Sequence, residues 1–324
     1  MPTRLLCLDN NGSAHLCISA DLANDVPYAA ISHCWGTHPF LTLKKSNFKD
    51  FQDRIPGKAL TKTFRDAIDI AKFLGIQYLW LDSLCIIQDD SEDWQKEAAL
   101  MGSVYGGSVV TIAASSAPDG NGGCFFDRRF SWRCEIELGI PNKRQLYEVI
   151  PSMLTDSASK TPLSSRGWVT QERILSPRIL YFTDIEVLWE CDQCIASETF
   201  PDILHEDPNW PVASSKLPEN LIDWSEIVRQ YTRRYFTYSS DKLVAISSIA
   251  EKFQSKVKGD YLAGMWMQDL EKQLCWFLTS SRERISPYVA PSVSFSKFLS
   301  ENKGERRDFL EILRHKLHFI SRSF

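Results

Sequence analysis

No apolar run in this chain reaches the roughly 18 residues that a membrane-spanning helix needs. The opening MPTRLLCLDNNGSAHLCIS is cut by Asp9-Asn10-Asn11-Gly12 before the apolar core of a signal peptide can form, so a cytosolic, cytoplasmic protein is expected. Excess charge is missing too. With 37 basic and 41 acidic side chains the formal net charge is -4, which leaves no electrostatic footprint for nucleic acid, and no basic amphipathic run marks a membrane surface. There is no GxGxxG and no Walker motif, which argues against a Rossmann hydride enzyme or a P-loop NTPase. A paired cysteine framework is also lacking. The nine cysteines are odd in number and scattered, so most are expected to be reduced, buried and inert as small apolar residues. Cys191 and Cys194 form one CxxC, but a closed zinc site needs four ligands and neither a second pair nor a His pair lies at finger spacing, so no metal ligand set is assigned. A redox role for this pair is weaker still, because Cys191 ends a strand-like run instead of opening a helix.

What is present is an ordinary globular composition, 44% hydrophobic and 24% charged, in a chain of 324 residues that is long enough for about two domains or one enlarged one. RLLCL and HLCIS flank a DNNGSA turn and read as a hairpin; YAAISHCWG reads as a short buried strand. TKTFRDAIDIAKFLG sets Phe64, Ala67, Ile68, Ala71 and Leu74 on one helical face, with Thr61 or Thr63 to cap it and Gly75 to stop it. IQYLWLDSLCI reads as a buried strand, expected at the centre of the sheet between the strands near Ala29 and Val109 because it is apolar on both faces; SVVTIAASS is a third strand. Strand, helix, strand, helix, strand implies a parallel sheet with crossover helices, an α/β core whose ligands bind off the carboxyl ends of the strands. Those ends are Ser32 to Trp35 and Asp82 to Cys85. Further on, CEIELGI with QLYEVI, and RILYFTDIEVLWEC turning at Thr183 to Glu186, predict two more hairpins, with a short helix in LSSRGWVTQERIL. Pro201 to Pro218 reads as a linker, and WSEIVRQYTRRYFT, DKLVAISSIAEKFQSKV and LAGMWMQDLEKQLCWFL as helices.

One residue breaks the pattern. Trp94, Ala98, Met101 and Tyr105 recur at helical spacing, and Glu97 falls on the same stripe. A carboxylate on a core-facing stripe either meets a cation or hydrogen-bond donors, or has a raised pKa and sits in a cleft ready for chemistry.

YAAISHCWG, then FRDAIDIAKFLGIQYLWLDSLCIIQDDSEDWQKEAALMGSVYGGSVVTIAASS, then LSSRGWVTQERILSPRILYF resemble the three blocks of the fungal heterokaryon-incompatibility (HET) domain, from about Tyr28 to Cys191. DKLVAISSIAEKF and YLAGMWMQDLEKQLCWFL are similar to the helical extension common in these proteins, up to about Ser292. The resemblance implies a TIR-like, parallel-sheet HET core with β-hairpin insertions over residues 1–200 and a mainly helical region over 201–324. It also implies a role in fungal non-self recognition, in which HET domains trigger cell death when a second copy or a sensor protein brings them together. The family is a distant relative of TIR domains, some of which cleave NAD with a helical glutamate. DWQKEAALMGSVYGGSVVTIA is similar to that TIR segment, and Glu97 is the matching position. After Val289 the chain departs from the family, reading APSVSFSKFL in place of an aromatic-rich APSWSW-like run and ending in a charged, helix-like tail.

NAD cleavage passes through an oxocarbenium-like transition state, so it needs a carboxylate by the ribose, an aromatic wall for the nicotinamide and donors for the diphosphate. Glu97 is the candidate for the first, Trp35 or Trp94 for the second, and Arg166 or Arg173 with the Gly36 loop for the third. NAD enters this reading as a substrate, and no bound cofactor is expected. Each residue also has a structural reading. Glu97 forms a buried ion pair with an arginine of RGWVTQER; Asp82 caps the next turn; Cys85 is an inert core thiol instead of a nucleophile with His33 as base. Ser32 and His33 line the pocket or satisfy backbone groups at the strand end, while Trp168 and Trp189 pack the core. Arg166, Gln171, Glu172 and Arg173 form a polar network, and Asp89, Asp90, Glu92 and Asp93 complement a helix N-terminus on a solvated face. Three functions follow: an NAD glycohydrolase switched on by oligomerisation, a non-enzymatic interaction module, or a metabolic enzyme reusing the fold. An open pocket with Glu97 facing Trp35 favours the first; Glu97 locked to an arginine in a pocketless core favours the second.

Overall fold

The computed structural model describes residues 1–9, 13–23, 25–128, 134–140, 143–149, 160–201, 217, 220–238, 240–257, 259–262, 264–268 and 270–273. The chain begins with a hairpin, β1 (Arg4–Leu8) and β2 (Ala14–Ile18), in the register Leu6↔Leu16. β3 (Tyr28–Ser32) follows, buried along its whole length. After α1 (Phe48–Asp53) comes α2 (Lys62–Phe73), started by the Thr61 hydroxyl accepting from the Phe64 amide at 3.4 Å. Its face of Phe64, Ala67, Ile68 and Ala71 is buried, as the periodicity requires, whereas Leu74, expected on the same face, is the C-cap and is 41% exposed. β4 (Tyr78–Trp80), a short helical turn α3 (Asp82–Cys85), α4 (Ser91–Gly107) and β5 (Val110–Ala114) complete the first half.

β6 (Cys134–Ile140) and β7 (Lys143–Val149) pair as a separate hairpin; α5 (Val169–Leu175) precedes β8 (Arg178–Phe182), β9 (Val187–Cys191) and β10 (Ile195–Ser197). α6 (Leu221–Tyr231) opens with a capping box between Asn220 and Asp223, and α7 (Asp241–Phe253) packs on α4 and α5. β11 (Tyr261–Leu262), β12 (Met265–Trp266) and α8 (Leu270–Gln273) close the described chain. Trp224, Ile246, Ile249, Phe253 and Trp266 share one cluster with Leu175 of α5.

The main sheet runs β10-β9-β8-β5-β3-β4-β1-β2. Its central four strands, β4, β3, β5 and β8, are parallel, and the flanking pairs are antiparallel. This is a mixed α/β fold with a mostly parallel central sheet. The expected place of β4 is corrected: β3, not β4, lies between the other two early strands, and β4 pairs β3 on one side and β1 on the other. Ala29 and Ala30, fully buried, let β3 sit between layers, while the opening hairpin covers the free edge of β4 through Leu6↔Leu79. The predicted strand is also shorter. It ends at Trp80, because the Asp82 carboxylate accepts the Ser83 amide at 2.7 Å and starts a turn.

A second correction concerns LAGMWMQDLEKQLCWFL. Its first part is not helical but a hairpin turning at Gly264, whose φ of +100° is open to glycine and closed to most residues, and Trp266 is thereby buried against Trp224 and Phe253. Most of the Pro201 to Pro218 linker, and the chain after residue 273 with its atypical tail, lie outside the described residues.

Candidate functional site

Numbered among the parallel strands alone, β3, β4, β5 and β8 lie in the order 2-1-3-4, the beginning of the doubly wound order in which ligands bind where the first and third strands diverge. Here those strands are β3 and β5. Beyond their carboxyl ends lies a cavity of about 330 Å³, lined by Trp35, His38 and Phe40 after β3, Lys58, Lys62 and Arg65 around the start of α2, and Asp119 after β5. Gly36 lets the loop after β3 pass close to Asp119, one of the lining residues. Its φ is +70°, and a Cβ there would stand 2.3 Å from the Asp119 Cβ. Trp35 is oriented by Asp82, whose Oδ2 accepts the indole N–H at 2.8 Å. The rings of Trp35 and Phe40 meet edge to face at 5.3 Å.

Beneath this cavity the end of β3 is held by a buried polar cluster. The Ser32 hydroxyl donates to Glu172 Oε2, and the Arg166 guanidinium donates to the His33 carbonyl. Tyr105 of α4 donates to the Ile31 carbonyl at 3.0 Å and also reaches Glu172. Burial pushes the Glu172 carboxyl up to about 7, against the pull of Arg166 and of the Ser32 hydroxyl, so it holds its proton well above the usual carboxylate range. Burial acts on His33 in the opposite sense. The imidazole, 3% exposed, is driven down to about 4 although Asp82 Oδ1 stands 3.8 Å from its Nδ1, and so it is neutral at pH 7. Its Nε2 finds no hydrogen-bond partner among the described residues, and its ring packs at 5.0 Å on Phe64.

Glu97 lies elsewhere. It is 1% exposed, as its stripe requires, but the cation near it is Arg4 of β1, with Nη2 at 3.7 Å from Glu97 Oε1, instead of an arginine of the third block. Arg4 is itself buried and binds mainly to others: Nε donates to the Cys85 carbonyl at 2.6 Å, and Nη2 to Asp93 at 2.7 and 2.5 Å. Asp93 also accepts the Ile87 amide at 2.8 Å, so this member of the acidic run is a partly buried partner of Arg4 and not part of a solvated face. Asp90 does cap α4, accepting from the amides of Glu92 and Asp93. The carboxylate of Glu97 accepts no hydrogen bond among the described residues, does not line the cavity, and is not joined to Trp35.

The remaining candidates divide between the two places. Ser32, Trp35, Gly36, Asp82 and Arg166 come together at the end of β3. Arg173 does not: it pairs with Glu190 of β9 at 3.0 Å, and Tyr181 donates to the same carboxylate, which ties α5 to the sheet. Trp94 packs partly buried on the main core and does not line the cavity. The thiol of Cys85, fully buried on α3, is pushed up to about 12 by burial, and His33 turns Nδ1 toward Asp82, so the thiol–imidazole pair is not formed. Tyr105 and Arg4 are the residues that sequence reasoning missed. The signal for Arg4 was available in kind, as a charge at the head of an apolar strand is as conspicuous as an acid on an apolar helix face.

Residues 28–172 match the model of a family described as heterokaryon incompatibility protein (HET). No curated protein and no solved structure matches the chain. The matched segment runs from the first residue of β3 into α5 and contains Ser32, His33, Trp35, Asp82, Tyr105, Arg166 and Glu172, the whole cluster at the strand end, whereas Arg4 precedes it. Over residues 28–172, a little under half of its length, the chain is similar to the heterokaryon incompatibility family.

Proposed function

We propose that this protein is an effector or signalling component of fungal heterokaryon incompatibility, which triggers cell death when a second copy or a sensor protein brings HET domains together. The family match over residues 28–172 carries this reading. The geometry favours action through assembly over chemistry at Glu97, because that carboxylate lies beside the Arg4–Asp93 pair and outside the cavity.

A second reading, NAD cleavage, is supported by the cavity at the divergence of β3 and β5. Trp35 and Phe40 offer an aromatic wall, Lys58, Lys62 and Arg65 offer positive charge for a diphosphate, and Asp119 places a carboxylate on the same lining. In this reading Glu97, the position matching the TIR glutamate, keeps a structural role and the cavity supplies the chemistry.

The experiment is forced dimerisation of the full chain in fungal cells, with viability as the readout, alongside incubation of concentrated purified protein with NAD and detection of free nicotinamide. Cell death without nicotinamide supports assembly alone. Nicotinamide release that Trp35→Ala abolishes supports the second reading. No loss of viability on forced dimerisation refutes the effector role.

A further inference from the structure

The opening hairpin brings together three side chains that the sequence keeps apart. On β1 and β2, Leu6, Leu8, Ala14 and Leu16 point into the core, and the alternation of the strands sends Cys7, His15 and Cys17 to the opposite face. Cys7 and His15 are direct cross-strand partners, and Cys17 follows His15 two residues along the same strand. One ligand atom from each of the three, the two sulfurs and a ring nitrogen, all lie within 4.8 Å of one another. A tetrahedral zinc ion, about 2.3 Å from sulfur and about 2.0 Å from nitrogen, spaces its ligands roughly 3.3–3.8 Å apart. The observed spacing exceeds that by no more than about 1.5 Å.

The other buried thiols do not resemble this. Cys34, Cys85 and Cys124 are 6%, 0% and 3% exposed, and none belongs to such a cluster among the described residues. Cys7 and Cys17 instead converge where the imidazole is half-exposed, 31% by its side chain, so an ion has a path from solvent. The imidazole is also supported from behind. Asp9 Oδ1 stands 3.5 Å from His15 Nδ1, and its Oδ2 accepts the Ser13 hydroxyl at 2.5 Å. A carboxylate held on one ring nitrogen fixes the tautomer that leaves the other nitrogen, Nε2, for a metal.

We propose that Cys7, His15 and Cys17 form a metal site for a thiophilic divalent cation of the zinc class, with Asp9 orienting His15 and water in the fourth position. Two thiolates and an imidazole are the ligand set that such an ion prefers over the oxygen sets of magnesium or calcium. Binding makes two sulfur–metal bonds and one nitrogen–metal bond, and the two thiol protons leave to solvent, with no change of oxidation state. The ion clamps β2 onto β1. The site precedes the segment matched to the HET family and is independent of the proposed function.

The test is titration of the reduced, metal-free full chain with Co2+, in a background carrying Cys191→Ser and Cys194→Ser, whose sulfurs are 3.5 Å apart and offer a competing pair. One equivalent is expected to give thiolate-to-cobalt charge-transfer absorption with the strong visible bands of tetrahedral cobalt, displaced by Zn2+. Asp9→Asn should weaken the affinity about 10–100-fold. Cys17→Ser should remove most of the charge-transfer intensity, and His15→Gln should weaken binding further than Asp9→Asn. Cys7 is 9% exposed, and if Cys7→Ser does not fold, the two variants on half-exposed β2 still decide the matter. Absence of charge transfer in this background, or a spectrum that neither Cys17→Ser nor His15→Gln alters, overturns the proposal. So does a protein isolated with Cys7 and Cys17 joined as a disulfide and taking up no cobalt after reduction.

Discussion

Replacing Glu172 by Gln is expected to change the pH dependence of stability more than stability at any one pH. The carboxyl is buried, and burial carries it from an ordinary 4.5 to about 7, with Arg166 and the Ser32 hydroxyl opposing and Asp82 assisting. Between these values the unfolded chain has lost the proton and the folded chain still holds it, so stability falls as pH rises across that window and levels above it. Each pH unit of the interval is worth about 1.4 kcal/mol, which makes the whole fall about 3 kcal/mol. His33 supplies the opposite slope. Burial lowers its imidazole from 6.5 to about 4, and Asp82, pulling upward, loses to it. Over that range the unfolded state binds the extra proton, so the His33 contribution is complete above pH 6.5 and is lost as pH falls toward 4, again by about 3 kcal/mol.

The two slopes cancel where they overlap. Glu172→Gln keeps an oxygen acceptor for Ser32 and removes the falling slope, so between about pH 4.5 and 6.5 the variant should gain stability with pH at about 1.4 kcal/mol per unit, while the parent stays nearly level. Urea unfolding midpoints at half-unit steps from pH 4.5 to 7.5 read this directly. A variant whose profile matches the parent's throughout would mean that Glu172 titrates as an ordinary carboxyl, and the account of the buried cluster would fail.

His33→Phe, fitting between Phe40 and Phe64, is expected to leave only the Glu172 slope, so that urea midpoints fall from pH 4.5 to 7; a profile that rises instead refutes this. Arg4→Met leaves the buried Glu97 carboxylate, the buried Cys85 carbonyl and the partly buried Asp93 carboxylate without their cation, and should cost about 3–5 kcal/mol in urea unfolding. Glu97→Gln should cost far less, since Arg4 keeps Asp93 and Glu97 accepts no hydrogen bond among the described residues; equal losses in the two variants would make Glu97 the main partner. Gly36→Ala must adopt a φ of +70° and meet the Asp119 Cβ at 2.3 Å, so it should lower the unfolding temperature by several degrees, and an unchanged temperature would show that the loop moves freely.

Much of the local architecture was legible from residue order. The face of α2, its Thr61 cap, the hairpins of β1–β2, β6–β7 and β8–β9 and the buried stripe carrying Glu97 all follow from periodicity and turn chemistry between neighbours in sequence. The three family blocks were legible in the same way. What periodicity encodes is which face turns inward, and burial of apolar surface is non-directional, so it leaves open which distant element lies on that face. Hence the order of β3, β4 and β1 was open, and so was the cation beside Glu97, which came from Arg4, ahead of the segment matched to the HET family model. The same holds for Ser32 with Glu172, 140 residues apart, whose displaced titration exists only because tertiary packing removes water from both. Cys7, His15 and Cys17 fall between these limits: their types are visible in the sequence, but only the cross-strand register turns them into neighbours.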